Sequence, residues 1–540
     1  DGSETLTVPT VSVVEGVTAT ISAPTVDALE KTGAGALTLT ENRTDVTTLT
    51  EGTLALVGTA SLDWTQLAFG TDPAKPVTLE VGPDATIANI PNPWKVQSIN
   101  GVDTVFCKQG GDWTLGGGAL YLGGTSGATA SFQHNGGTLT VGNYLSVGQT
   151  GTGLLDICGG TVNSTHSGTY TLIGNNGAAT VVVTNSGSLV VSDSVAVGNQ
   201  KGSSGTLVVA DGGTVSVGGS LIFCNNRYAD ASTSGRVDLG RGGVIAAQKA
   251  TRAHAGSATF NFDGGTFKKA SGTGDIFGAS GINVTLSANG GTIDNNGLAI
   301  TIPCTITGEG GLTLSGAGTT TVSADQSYTG TTTVSNGTTL SVGGGVTFAG
   351  PLALEAGSTL NLVSYTPGVT PVVASALALP ESGIVALTLN GGAFPVGVYA
   401  ICSATGGVTA SDGDKFVPSI GGEAASWSIV DNKLILTVGM VPSDQDFTYA
   451  GGAAANWSDA NVWMNADAAA AGADTNDAIF NTANATVTLN NDVTAAGGVF
   501  SADATISTNG TDAATLTVPI VSVANGVSAT ISAPTRLPSH

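Results

Sequence analysis

The chain has 540 residues, of which 80 are glycine and only 10% are charged, yet 39 acidic against 16 basic residues leave a net charge of −23. A hydrophobic content of 41% with so little charge argues against disorder, glycines off any three-residue period exclude collagen, and a Thr-, Val-, Ser- and Gly-rich composition argues against a helical bundle. The acidic field repels phosphate and speaks against a nucleic-acid partner, and no apolar run is long enough to cross a bilayer as a helix.

Residue 1 is Asp and no signal-peptide pattern follows it, so the chain reads as a mature or excised segment. Residues 1–58 read as the start of a solenoid. They hold TLTVPTVSVVEGVTATISAPT at 5–25 and KTGAGALTLTENRTDVTTLTEGTLALVG at 31–58. Residues 59–112 contain Trp64, Pro91, Pro93 and Trp94 and break the rhythm. This segment is expected to be an irregular excursion or cap.

Residues 113–345 form the main β-helix on the sequence pattern. A pair of small residues followed by a β-former recurs, with the second glycine at 137, 160, 187, 213, 243, 265 and 291. The steps run from 22 to 30 residues and average about 25.7. Between the markers lie short alternating runs such as Val181–Val183, Leu189–Val191 and Val195–Val197, cut by Gly, Asn and Asp turns. Two or three short strands in such a period make one coil of a parallel β-helix. A propeller blade needs a longer period with four strands. The fold class expected is therefore all-β, a β-solenoid of about 20 coils of roughly 26 residues, stacked at roughly 4.8 Å. Cys107 and Cys158 then stand about two coils apart, and Cys224 and Cys304 about three, too far for disulfides. Free buried thiols are expected, with Cys402 the one left to reach another chain.

Residues 308–343 read GEGGLTLSGAGTTTVSADQSYTGTTTVSNGTTLSVG. With residues 31–58 they resemble the autotransporter-associated β-strand repeat. Gly316, Tyr328, Thr329, Gly330, Thr332 and Gly337 stand where that pattern expects them, as do Lys31, Gly33, Gly35, Leu37 and Gly52; the earlier stretch lacks the Tyr-Thr-Gly corner. The resemblance implies a right-handed parallel β-helix, as in passenger domains of autotransporters. It also implies secretion to the exterior or surface of a bacterium. It names no activity, because such repeats are scaffolds.

Residues 346–440 read as terminal coils of a unit, 441–478 as a linker and the start of the next unit, and 479–540 as a solenoid segment duplicating the first. Residues 515–535 repeat 5–25 at an offset of 510, with 17 of 21 positions identical. The differences are Thr10/Ile520, Val14/Ala524, Glu15/Asn525 and Thr18/Ser528. The plain reading is a tandem array. The sharper one makes the repeated segments assembly surfaces, through which subunits stack head-to-tail into a fibre. Its contacts would be Thr5, Val8, Val11, Val13 and Ile21 with Thr515, Val518, Val521, Val523 and Ile531.

Charge is uneven. Arg227, Arg236, Arg241, Lys249, Arg252, Lys268 and Lys269 hold seven of the 16 basic residues, while 412–512 holds 13 acidic ones. The basic segment reads as a solvated face, a docking patch for a neighbouring copy, or, with Asp238 and His254, a polysaccharide-cleaving site. Asp412-Gly413-Asp414 and Asp474-Thr475-Asn476-Asp477 are turn-like acidic clusters, weak as metal sites. Trp457 and Trp463 read as a packing pair or a sugar platform. No phosphate loop, nucleophile elbow or zinc-protease motif occurs. The expectation is a non-enzymatic extracellular structural protein, without cofactor or metal, serving as a unit of a surface fibre or stalk. The alternatives are an adhesin that binds surface glycans or neighbouring cells, and a polysaccharide-active enzyme.

Overall fold

The computed structural model describes residues 5–72, 74–96, 104–115, 117–124, 126–127, 129–366, 369–408, 415–421, 425–438, 447–448, 454–457, 477–480, 482–490, 492–495, 497–508, 514–518, 521–524 and 527–536. Among these residues the regular structure is β-strand apart from one 3-10 turn, Trp64–Gln66. The chain divides into two units, one of residues 1–340 with 347–353 and the other of 341–346 with 354–540.

The first unit is a parallel β-helix. A representative coil runs Ala178–Val183, Ser188–Val191 and Ser194–Val197, then turns through 198–203 into Ser204–Val209 of the next coil. Alternation sets which side chains enter the core: Val181, Val183, Leu189, Val191, Val195 and Val197 are buried. The longest sheet stacks 13 strands in parallel, from Thr18–Ile21 to Ile306–Gly308. Its register makes one apolar ladder of Phe132, Leu155, Val181, Leu207, Val237, Phe260, Val284 and Ile306. Each is at most 1% exposed. Burying one such side chain stabilises by roughly 1.5–3 kcal/mol.

Coil length is less uniform than the glycine spacing predicts. Register partners are 18 residues apart at Thr20/Thr38 and 17 at Leu37/Leu54. From Thr53/Thr78 onward along this sheet the steps lie between 22 and 30. Short coils return at Gly291/Leu312 and Leu312/Thr332, 21 and 20 residues. The two stretches that carry the repeat resemblance are therefore places where the coil is tight. Segment 59–112 also differs from expectation. Its strands Val77–Val81 and Thr104–Lys108 belong to the long sheet, so the ladder runs through it. Trp94 is fully buried and meets Trp64, Phe106, Trp113 and Phe132 at centroid distances of 5.4, 5.0, 6.3 and 5.9 Å. The aromatic residues that looked like a cap form a core plug.

Glycine turns one corner and amides line it. Gly148, Gly174 and Gly198 have φ of 68°, 76° and 67°. The residue after each is Gln149, Asn175 or Asn199. Asn175 Nδ2 donates to Gln149 Oε1 at 3.0 Å, Asn199 Nδ2 to Asn175 Oδ1 at 2.7 Å, and Asn225 Nδ2 to Asn199 Oδ1 at 3.4 Å. This amide ladder climbs one rung per coil. Asn199→Ala removes the middle rung and leaves without a partner a buried acceptor on Asn175 and a half-buried donor on Asn225. A loss of about 1–3 kcal/mol in unfolding free energy is expected from denaturant titration; an unchanged midpoint would show that the ladder is ornamental.

The second unit begins with parallel strands Thr359–Leu362, Val385–Leu389 and Phe416–Pro418. The expectation of coils throughout 346–440 then fails. Gly397–Ala404 pairs antiparallel with Lys433–Val438, which pairs antiparallel with Ala425–Val430. The turn at Asp431 and Asn432, both at positive φ, is two residues long and reverses the chain where a coil would need a longer crossover. Parallel strand pairs reappear among the described residues between 447 and 536, in register at Phe447/Ala478, Ala478/Gly498 and Val499/Ser522. Trp457, Phe480, Leu489, Phe500, Ile506 and Leu516 form their core.

Candidate functional site

The two copies of the repeated segment build the same coil. In the first, Thr10–Ser12 and Thr18–Ile21 pair in parallel with Leu29–Thr32 and Ala36–Leu39, and Leu6 bridges Thr25. In the second, Val521–Val523 and Ala529–Ile531 pair with Gly497–Phe500 and Ala504–Thr508. Leu516 pairs with Thr535, the counterpart of the Leu6–Thr25 bridge at the offset of 510. Thr5 is exposed, Val8, Val11 and Ile21 are half-buried, and Val13 is buried. Thr515, Val518 and Ile531 are half-buried, while Val521 and Val523 are exposed. Thr515 donates through N and Oγ1 to Asp492 at 2.8 and 2.9 Å.

The basic segment does not come together as one patch. Arg236 lies outward on the long sheet and pairs with Asp238 at 2.6 Å. Lys268 and Lys269 are neighbours in one strand, so their side chains leave on opposite faces. Lys268 meets Asp294 at 3.5 Å, whereas Lys269 is inside and donates to the Gln248 carbonyl at 2.6 Å. Arg227 lies over the ring of Tyr228 at 4.8 Å, and Arg252 donates to the Gly256 carbonyl. Arg241 and Lys249 are exposed at turns. The Asp238 carboxylate serves Arg236 and Asn261, and His254 is exposed.

Most of the acidic block, with Asp412, Asp414, Asp474 and Trp463, lies outside the described residues. Of its described members, Asp492 and Asp503 cap N–H groups of the next coil, at Thr515 and Ser528. Trp457 is 2% exposed and packs edge-on to Phe480 at 5.9 Å. That is the packing arrangement, not a sugar platform. Among the described residues no three His, Cys, Asp or Glu side chains gather as a metal site would require.

All five cysteines are unpaired; four are buried and Cys158 is half-buried. Cys107 and Cys158 stand two coils apart, as coil counting implied, with Asn135 on the coil between them: its Nδ2 donates to Cys107 Sγ at 3.3 Å and its Oδ1 accepts from Cys158 Sγ at 2.7 Å. Burial pushes the thiols of Cys107 and Cys304 up to about 11 and that of Cys402 up to about 12. They remain protonated and poorly nucleophilic at neutral pH.

Sequence reasoning missed the buried cations. Lys31, fully buried, donates to the carbonyls of Thr32, Gly33 and Glu51 at 2.9, 2.5 and 2.9 Å. Lys108 does the same for Gly110, Gly111 and Gly136 at 2.7, 2.5 and 2.9 Å. In each case the ammonium gathers corner carbonyls from two successive coils. The K-x-G-x-G spelling of Lys31, Gly33 and Gly35 was the available signal. Tyr328 of the second motif is likewise interior, its hydroxyl 2.6 Å from Thr332 Oγ1. No family model, curated protein or solved structure matches this chain.

Proposed function

We propose that the chain is an extracellular structural β-solenoid, a unit of a bacterial surface fibre or stalk that associates with further copies through its repeated coil. The observation that carries this reading is the repeated coil itself, one sequence forming parallel coil strands at two places, paired with the following coil in the first and with the preceding coil in the second. The buried ionisable groups support a non-enzymatic role. Lys31, Lys108 and Lys269 spend their donors on backbone carbonyls inside the coil. Secretion and a surface location rest on the resemblance to autotransporter-associated repeats.

A second reading, adhesion to glycans, draws on one feature. Tyr144 and Tyr170 are exposed on adjacent coils, and the Tyr144 ring stacks on His166 at 5.6 Å and 16°. Aromatic faces of this kind suit sugar rings. Electron microscopy of the purified chain tests the first reading. End-to-end filaments are expected, and a persistent monomer at high concentration would overturn it. Release of new reducing ends or unsaturated products from a polysaccharide panel would overturn the non-enzymatic part.

A further inference from the structure

The antiparallel hairpin of the second unit ends on a strand whose outer edge is open among the described residues. We infer that this strand, Ala425–Val430, is a lateral docking edge for a second copy of this chain. The two copies pair it antiparallel about a two-fold axis at Trp427, and the three antiparallel strands of each join into one sheet. The contact lies inside the chain and is separate from the repeated coil, so it goes beyond the filament reading and does not rest on it.

Three observations carry it. The first is the direction of the backbone groups. Gly397–Ala404, Lys433–Val438 and Ala425–Val430 follow one another in the sheet, and Ala425–Val430 ends it. The two-residue turn at Asp431 and Asn432 makes Val430 and Lys433 a hydrogen-bonded pair. Alternation gives the same to Ser428 with Ile435 and to Ser426 with Thr437. Ala425, Trp427 and Ile429 therefore aim their N–H and C=O groups away from the hairpin. Among the described residues nothing takes those groups up.

The second is that nothing in the strand blunts this edge. Ala425–Val430 is six residues long, holds no charged residue and no proline, and pairs with Lys433–Val438 without a register shift. Open edges are ordinarily protected by lysine, proline, a bulge or shortness. The parallel sheet that contains Val385–Leu389 has that protection. It ends on Phe416–Pro418, three residues with a proline that has no N–H to offer. The hairpin's core also stops short at the edge. Leu434, Leu436 and Val438 are fully buried, while Ile429, Trp427 and Ala425 opposite them are only half-buried. Trp427 packs on Phe416 at a centroid distance of 5.6 Å. A further strand along this edge removes the remaining apolar surface from water.

The third is self-complementarity, which selects a second copy as the occupant. With Trp427 opposite its own counterpart, Ala425 of one copy faces Ile429 of the other, and Ser426 faces Ser428. Small stands against large on the inner face, and hydroxyl against hydroxyl on the outer one. This register exchanges the N–H and C=O groups of all three outward-aimed residues. A slip of one residue sets inner side chains against outer ones, and a slip of two moves one of the three past the end of the strand. Each chain carries a net charge of −23, yet the strand itself is uncharged. Salt screens the repulsion between the rest of the two chains and therefore strengthens this contact.

Ser426 and Ser428 supply the test. Ser426 is half-buried and Ser428 exposed, and directly opposed strand positions lie within disulfide reach. Full-length S426C/S428C and S428C variants are oxidised and mapped by peptide mass spectrometry without reductant, with the wild type as the control for its own cysteines. Sedimentation equilibrium follows the wild type and S428K from low to high salt, and circular dichroism checks the folding of S428K. Two-fold pairing predicts links between chains from 426 to 428 in the double variant and none in S428C. It also predicts a wild-type dimer that tightens as salt rises, and a dimer dissociation constant roughly tenfold higher in S428K. The linkage map holds whether or not S428K folds. A 428–428 link in S428C, links from these positions to another part of the chain, or a dimer that loosens with salt overturns the two-fold pairing. A monomer at every salt concentration with no link overturns the docking edge. Filaments by microscopy without a 426–428 link overturn it too, and leave the filament reading intact.

Discussion

Gly160→Ala is expected to cost about 3 kcal/mol, and Gly168→Ala only about 1 kcal/mol. Both glycines lie in the left-handed region, at φ of 65° and 84°. A side chain there is strained by roughly 1–2 kcal/mol in either place. The difference is the neighbouring coil. A Cβ on Gly160 would sit 2.2 Å from the Gly137 carbonyl oxygen, whereas nothing lies within 4 Å at Gly168. That carbonyl cannot easily retreat, because it accepts from Thr161 N at 2.8 Å. In a stacked repeat the damage should stay near its source. Hydrogen exchange should show lost protection in Thr152–Ile157 and Thr161–Ser164, with Thr332–Val334 unaffected. Equal destabilisation by the two substitutions would sink the close-approach account of the GGT corners.

Acidification should destabilise the first unit through His134. This imidazole is fully buried, one coil above Lys108 in register. Its Nε2 lies 3.2 Å from the Gly137 carbonyl, and Nδ1 has no hydrogen-bond partner. Burial, with a smaller push from the Lys108 ammonium, lowers its pKa from 6.5 to about 4. As pH falls below about 6.5, the unfolded chain takes up the proton first. The stability is therefore whole above that pH and is lost progressively down to about pH 4, by about 3 kcal/mol. Burial also pulls Lys108 down to about 8, with Asp112 opposing, so its own titration falls in the alkaline range. Asp156, raised by burial, acts with the opposite sign in acid. The measurement is accordingly a difference: unfolding free energy against pH for the wild type minus that for His134→Leu. The difference should shrink as pH falls from 6.5 to 4. A flat difference would show that His134 does not titrate as its surroundings require.

The resemblance and the spacing converged on the same architecture from different residues. The glycine pairs marked the corners of the middle coils, and Lys31 with Tyr328 marked the tight ones. In the tight coils a lysine or a tyrosine holds the corner from inside, and the coil closes in 17 to 21 residues at those places. One average period hid that difference.

The sequence alone determined the strands, the corners and the doubled coil. Those depend on period-two alternation, on glycine's freedom at positive φ and on literal repetition, all readable within a few residues or by comparing two segments. The tertiary structure alone decided the fate of the polar residues. Lys268 and Lys269 are adjacent in sequence, yet one meets Asp294 outside and the other the Gln248 carbonyl inside. Asn175 and Asn199 became rungs of one ladder, and Lys31 and Lys108 became buried carbonyl clasps. Each has a partner on an adjacent coil, 20 to 28 residues away, and of that contact the local pattern carries little trace. The basic segment dissolved for the same reason: a solenoid sends consecutive strands to different faces and joins residues one coil apart.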